Sequence, residues 1–438
     1  MNVILLSGGS GKRLWPLSND IRSKQFIKIF KDEAGNYESM VQRVYRQIMD
    51  VDKESVVTVA TSKSQISALR NQLGENVSIS LEPCRRDTFP AIVLAAAYLK
   101  DVAGVPEDEA VVVCPVDPYV EKEYFEALHQ LGALAKQGAG NIVLMGIEPT
   151  YPSEKYGYII PKGNDNVSKV DTFKEKPDVK TAEEYIRRGA LWNGGVFAFQ
   201  LKYVLNKAHE IIDFTDYQDL FDKYETLEKI SFDYAVVEKE DNIAVMRFAG
   251  EWKDLGTWNT LTEAMKENIV GNGEMDDTCE NLHVINELDI PILCMGLKDM
   301  VVSASADGIL VSDKGASSYI KPYVDKMDNR IMYAEKSWGS YRVMDVEEGS
   351  VTIKVTLNPG HSMNYHSHEH RDEIWSIISG QGRTVVDGME QTVYPGDVIT
   401  MQAGCKHTIF ADTELKLIEV QLGKEIRIDD KQKHSLES

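Results

Sequence analysis

The sequence predicts an α/β domain on a mainly parallel sheet, then a short β-rich linker, then an all-β domain. Three observations carry that expectation. Apolar runs alternate with helix-period segments from the start of the chain to about Ile147. A glycine-rich turn, Gly8-Gly9-Ser10-Gly11, directly follows the first apolar run. Beyond about Ser350 only short strand patterns recur, punctuated by Gly, Pro or Asp.

The elements follow in order. Val3-Ile4-Leu5-Leu6 reads as a buried strand. Helices are expected at 40–49, 64–73, 91–99 and 124–135, with strands at 56–60, 77–81, 110–114 and 142–147. Such alternation implies βα units, and in such sheets ligands sit beyond the carboxyl ends of the strands. From 271 to 320 the apolar runs shorten, at 290–296, 300–303 and 308–311, which suggests a small β element with tight turns. A looser joint is expected at 327–334. Strands are then expected at 350–357, 374–379, 382–386, 391–394, 397–401, 408–410 and 415–421, as in a sandwich or barrel. The expected divisions are 1–268, 269–326, 327–428 and a flexible tail at 429–438.

Composition narrows the function. The 438 residues suffice for two or three cores. A formal net charge of −21 argues against non-specific binding to nucleic acid or anionic membrane. No run of about 18 apolar residues occurs, so no membrane span is expected. The chain opens directly in a strand without a basic leader, which argues against a signal peptide. Five cysteines are widely spaced with no C-x-x-C pair, and read as reduced thiols of a cytoplasmic protein.

The chemistry starts in the glycine-rich turn. Gly8, Gly9 and Gly11 permit backbone angles that side chains resist, and let the main chain approach a ligand. Successive N–H groups there make a concave anion site, and Lys12, Arg13 and Lys24 add fixed positive charge. That combination suits a triphosphate. The turn is neither a Walker loop nor a spaced G-x-G-x-x-G fingerprint. The whole run G-G-S-G-K-R-L-W-P-L-S, followed by Lys24-Gln25-Phe26, resembles the signature of sugar-phosphate nucleotidyltransferases, in their mannose-1-phosphate guanylyltransferase branch.

Further segments resemble that family in its order. Glu82-Pro83-Cys84-Arg85-Arg86-Asp87-Thr88 is similar to E-P-x-x-R-N-T, with Asp87 for Asn. It implies nucleotide contacts at Glu82, Arg86 and Asp87; Asp87 or Thr88 also reads as a helix cap. Pro115-Val116-Asp117-Pro118 is similar to P-S-D-H, and only Asp117 carries over. Around Gly157 the chain resembles T-G-Y-G-Y-I, at Phe173–Pro177 F-x-E-K-P, and at Trp192–Phe197 W-N-S-G-x-F with Gly194 for Ser. Ser231 to Ala235 reads as a capped helix start. Trp252-Lys253-Asp254-Leu255-Gly256 resembles W-x-D-x-G. The resemblance implies a Rossmann-like fold, magnesium on Asp117 and Asp254, sugar contacts at Gly157, Glu175 and Asn193, and a sugar phosphate on Lys176.

The all-β segment resembles the cupin family. Gly360, His366, His368, Glu373 and Gly380 match its first motif, and Gly396, Gly404 and His407 its second, with Gln402 in place of a Pro. His366 and His368, two apart, face one side of a strand. The resemblance brings His366, His368, Glu373 and His407 to one metal, and such a donor set suits zinc, iron, manganese or nickel. The order transferase, linker, cupin resembles bifunctional guanylyltransferase/phosphomannose isomerases. The isomerase branch has Gln at His366, His at Ile374 and a closing D-x-Y-G-R, all missing here. A metal-binding or sugar-sensing cupin is an equal expectation.

The expected reaction joins GTP and mannose 1-phosphate into GDP-mannose, with Arg13, Lys24, Lys176, Asp117 and Asp254 as its charged machinery. Another sugar 1-phosphate or base, a non-catalytic nucleotide-sugar sensor, and a cupin oxygenase stand as alternatives. Oligomeric state is left open, homo-oligomer included.

Overall fold

The computed structural model describes residues 1–436 apart from 10, 20, 328, 329, 425, 428 and 429. Residues 328 and 329 of the expected joint, and 429, 437 and 438 of the expected tail, lie outside the described residues. The chain divides into two compact units. The first holds residues 1–10, 24–66 and 76–266, and the second holds 11–23, 67–75 and 267–438.

The first unit is organised by one nine-stranded sheet. Its strands are β1 (Asn2–Leu6), β2 (Val56–Ser62), β3 (Ser78–Glu82), β4 (Ala110–Pro115), β5 (Ile142–Ile147), β6 (Gly157–Pro161), β7 (Val167–Lys174), β8 (Leu191–Gln200) and β9 (Ile243–Phe248). The order across the sheet is β3-β2-β1-β4-β8-β5-β9-β7-β6. Strand β1 is therefore interior, flanked in parallel register by β2 and β4.

The sheet is mixed, which corrects the mainly parallel expectation. Strands β1 to β4 run parallel, as do β5 and β9, but β8 enters antiparallel between β4 and β5. Strands β6 and β7 form an antiparallel pair joined by a short turn. A parallel return needs a long crossover and a short turn does not, so strand direction follows connection length rather than apolar content.

The helix Thr88–Asp101 explains the depth of this core. Its Phe89, Ala91–Ala97 and Leu99 are buried almost all round, and it packs with Phe197, Phe199, Leu201, Tyr224 and Phe232. A helix with so few polar positions forms only where both faces are covered.

The second unit begins as a coil of short parallel strands. Ile269–Gly271, His283–Asn286 and Met300–Ser305 pair in parallel, and Gly308–Asp313 closes the edge antiparallel. The tight turns expected there are instead successive returns in one direction. The cupin segment follows as a six-stranded and a five-stranded sheet around Val355, Leu357, Trp375, Ile377, Ile409, Leu415 and Leu417.

Two expected boundaries move. Residues 11–23 belong with the second unit, where Arg22 makes a bidentate pair with Glu287 at 2.8 and 2.9 Å, and Ser305 Oγ donates to the Pro16 carbonyl at 2.7 Å. Residues 67–75 do too, through Gln72 Nε2 to Glu335 Oε2 at 2.8 Å. The expected flexible tail is also corrected. Gln432–Lys433 forms a strand pairing antiparallel with His366–Ser367, and Asp430 accepts from the backbone of Glu369 and His370.

Candidate active site and metal centre

The glycine-rich turn leaves β1 in the first unit. Gly9 has φ +123°, a conformation side chains avoid, and no atom lies within 4 Å of a Cβ placed on Gly8 or Gly9. The space over the turn is open. Arg85, which the sequence did not single out, donates to the Gly9 carbonyl at 3.0 Å. Gln65 anchors the same turn by accepting from Thr61 Oγ1 at 2.8 Å and reaching the Gly9 carbonyl at 3.5 Å. Gly11, Lys12 and Arg13 continue as a short 3-10 helix assigned to the second unit, where Lys12 pairs with Asp325 at 3.0 Å and Arg13 is exposed.

The three remaining nucleotide expectations each have a partner within the protein. Glu82 is buried, and Tyr224 donates to its Oε2 at 2.9 Å. Burial pushes that carboxyl up, against the Tyr224 hydrogen bond. Arg86 donates to the Glu225 carbonyl. Asp87 is the cap of the helix Thr88–Asp101, accepting from Thr88 N at 2.8 Å with φ +71°.

The two carboxylates expected to share a cation do meet. Pro118–Val120 and Trp252–Asp254 pair as a two-stranded ribbon, with Asp254 opposite Pro118. Lys24 Nζ lies 2.8 Å from Asp117 Oδ2 and 3.8 Å from Asp254 Oδ1. Burial alone would raise the Asp117 carboxyl, but the Lys24 ammonium overrides it and holds it below the usual range. The Lys24 ammonium thus contacts Asp117 closely and Asp254 at longer range.

The sugar expectations also converge. Gly157 on β6 pairs with Asn193 on β8. A Cβ on Gly157 would collide with Glu175 Oε2 and sit 3.2 Å from Phe173 Cζ and 3.4 Å from Asn193 Cβ. Strand β8 changes register between Asn193 and Phe197, and Gly195 has φ +72°. Such a bulge re-aims a side chain at a sheet end. Lys176, exposed and at φ +43°, pairs with Glu175. Asp233, which sequence reasoning took only as part of a helix cap, accepts from Asn193 Nδ2 at 2.7 Å. Burial, then the Glu175 charge, push it up to about 6.

In the second unit His366, His368, Glu373 and His407 bring their ligand atoms within 4.8 Å of one another, all buried. Each imidazole Nδ1 faces a backbone carbonyl: His366 to Asn364 at 2.6 Å, His368 to Asp430 at 2.8 Å and His407 to Cys405 at 3.0 Å. A carbonyl only accepts, so each Nδ1 carries the proton and each Nε2 faces the cluster. His407 Nε2 is buried with no hydrogen-bond partner among the described residues, 3.3 Å from Glu373 Oε2. These donors fit a divalent transition metal. Arg371 donates to Glu373 Oε1 at 2.9 Å and reaches His368 Nε2 at 3.0 Å. A cavity of about 420 Å³ adjoins the cluster, lined also by Arg330, Lys336, Arg427, Lys431 and Lys433. Glu419 lines it too, pushed up to about 8 by burial and the Glu373 charge.

Comparison with known proteins agrees with this layout. The Nucleotidyl transferase family model matches residues 2–269, and the Mannose-6-phosphate isomerase C-terminal model matches 325–435. Xanthan biosynthesis protein XanB of Xanthomonas campestris pv. campestris (strain B100) is 30% identical over 98% of this chain and 96% of its own length. Mannose-1-phosphate guanylyltransferase ManC of Salmonella typhimurium is likewise 30% identical, over 98% and 96%. The solved structure of mannose-1-phosphate geranyltransferase from Thermus thermophilus superposes with a TM-score of 0.62 at 28% identity, covering 74% of this chain and 98% of that one. The chain therefore belongs to the nucleotidyl transferase family, in the form that carries a C-terminal domain of the mannose-6-phosphate isomerase type.

Proposed function

We propose that this protein transfers a guanylyl group from GTP to mannose 1-phosphate, forming GDP-mannose and pyrophosphate. The observation that carries the reading is the meeting of Asp117 and Asp254 at the Lys24 ammonium, 2.8 and 3.8 Å away. The nucleophile is a phosphate oxygen already ionised at neutral pH, so no general base is needed. It attacks the α-phosphorus; the bond to the bridging oxygen breaks, and pyrophosphate leaves with the electron pair. The protein's task is to hold two polyanions in line and to neutralise the charge that develops.

Lys24, and Arg13 by family resemblance, serve the triphosphate, and Lys176 serves the sugar phosphate. The turn at Gly8 and Gly9 lets backbone N–H groups approach it. Gly157, Glu175 and Asn193 receive the sugar ring. Asp117 and Asp254 would hold magnesium, which supplies Lewis-acid neutralisation of phosphate charge when bound. The test is pyrophosphate release from a panel of triphosphates and sugar 1-phosphates. GTP with mannose 1-phosphate should lead, and Asp254→Ala should lower turnover by about two orders of magnitude at unchanged fold. A different preferred pair, or near-normal turnover in the variant, removes the reading.

The cupin is read as a divalent-metal site in a cationic pocket. The match at 325–435 also favours hexose-phosphate isomerisation there, while His366 and Ile374 depart from the isomerase pattern. Turnover of fructose 6-phosphate by the full chain, with and without added metal, decides between them.

A further inference from the structure

We propose that Asp233 is a sugar-positioning residue of the transferase site, fixing Asn193 and offering its second oxygen to hydroxyls of an uncharged hexosyl ring. The inference rests on the guanylyl-transfer reading and deepens it with a residue and a specificity.

The Asn193 amide is locked at both ends. Its Nδ2 donates to Asp233 Oδ1 at 2.7 Å, and its Oδ1 accepts from Gly195 N at 3.0 Å. One end needs an acceptor and the other a donor, so the amide has a single orientation. Asp233 is held as firmly. It sits in the short helix Phe232–Ala235, whose Ser231 cap accepts from Tyr234 N at 3.3 Å. Phe232 N donates to Thr88 Oγ1 at 2.8 Å, and its ring is fully buried against Phe89, Phe197 and Phe199. A rigid anchor of this kind is what a positioning residue requires.

The electrostatics point to a ligand that donates hydrogen bonds. Glu175 and Lys176, from the end of β7, and Asn193, from β8, are the charged and polar groups that face Asp233; Tyr234 on its own helix lies near Lys176. Lys176 is paired with Glu175, and among the described residues no ion pair reaches Asp233. Glu175 Oε2 thus stands over the floor that Gly157 leaves without a side chain, and Asp233 reaches the same place through Asn193 and feels the Glu175 charge. Placing like charges together in a half-buried site is unfavourable. Sugar hydroxyls donating to both would offset that cost, and a ring bearing its own carboxylate would worsen it. Hence the site selects a neutral polyhydroxylated ring over a hexuronate.

The experiment compares wild type, Asp233→Ala and Asp233→Asn as full chains, with unfolding midpoints as a folding control. Asp233→Ala should raise KM for mannose 1-phosphate about tenfold or more, with KM for GTP unchanged. In wild type, affinity should fall as pH drops through about 6, because protonation removes the acceptor. The substrate phosphate titrates in the same range, so the readout is the difference from Asp233→Asn, whose profile keeps only the substrate step. Asp233→Asn should also gain mannuronic acid 1-phosphate relative to mannose 1-phosphate. Wild-type KM and an unaltered pH profile in both variants overturn the proposal. Absent pyrophosphate release by wild type defeats the guanylyl-transfer reading instead. Calorimetric titration with mannose 1-phosphate still decides in that case: Asp233-dependent binding upholds the inference, and absent or unchanged binding overturns it.

Discussion

At Lys24 one half-buried ammonium neutralises two carboxylates, and the consequence can be read in pH. Its charge is what keeps Asp117 below the usual carboxylate range against the opposing effect of burial. In Lys24→Ala only the residue's own backbone hydrogen bond still opposes burial, so the Asp117 pKa rises. The acid limb of kcat/KM should therefore move to higher pH, besides a loss of about two orders of magnitude at the plateau. An unmoved acid limb would show that Asp117 is not the group that titrates. Gly157 gives a second prediction. Gly157→Ala pushes the new methyl into Glu175 Oε2, and should weaken mannose 1-phosphate about tenfold while leaving GTP affinity and unfolding unchanged. Gly157, Glu175 and Asn193 were legible as residues because their motifs are local. Asp233 and Arg85 were not, since an Asp at a helix start and an Arg in a polar loop look the same in sequence whatever they face.

Among elements, the ends of strands do the positioning. The register shift in β8 falls after Asn193, which stays paired with Gly157 and Gly146, while Phe197 onward pairs with β4 and β5. In the cupin the backbone fixes three imidazoles by their Nδ1 protons, so metal binding should not require rearranging them. Occupancy then stabilises the folded state by mass action, about 4 kcal/mol at a thousandfold excess over Kd. Chelation should lower the unfolding midpoint of the full chain, zinc or manganese should restore it, and His407→Ala should abolish the difference. Equal midpoints with and without metal would refute a metal centre. The four cupin residues were legible through the resemblance their spaced motifs carry, whereas the strand Gln432–Lys433 was not, because two polar residues carry no periodic signal.

At the scale of the whole molecule, a chain of net charge −21 gathers cations along the cupin cavity. Early sequence is also built into late structure. Arg22 is buried, pairs with Glu287 through both nitrogens and lies 5.1 Å from the Tyr333 ring centroid. Removing one partner of such a pair strands the other, so Arg22→Ala should destabilise the second unit by about 3 kcal/mol. The double change with Glu287→Gln should cost less than the single one, measured by denaturant unfolding; equal costs would deny the coupling. No helix among the described residues is long and apolar enough to cross a membrane.

The sequence by itself determined the order of transferase segment, linker and cupin, and singled out the four residues His366, His368, Glu373 and His407 that the structure brings together. Strand and helix periods record the domain order, and family-like motifs of short spacing carry the four residues. Only the tertiary structure decided that Asp117 and Asp254 face one cation, that β8 runs against its neighbours, and that residues 11–23 and 67–75 pack with the second unit. Contacts between distant residues depend on the path of the chain in space, and a strand shows the same alternation whichever way its neighbour runs.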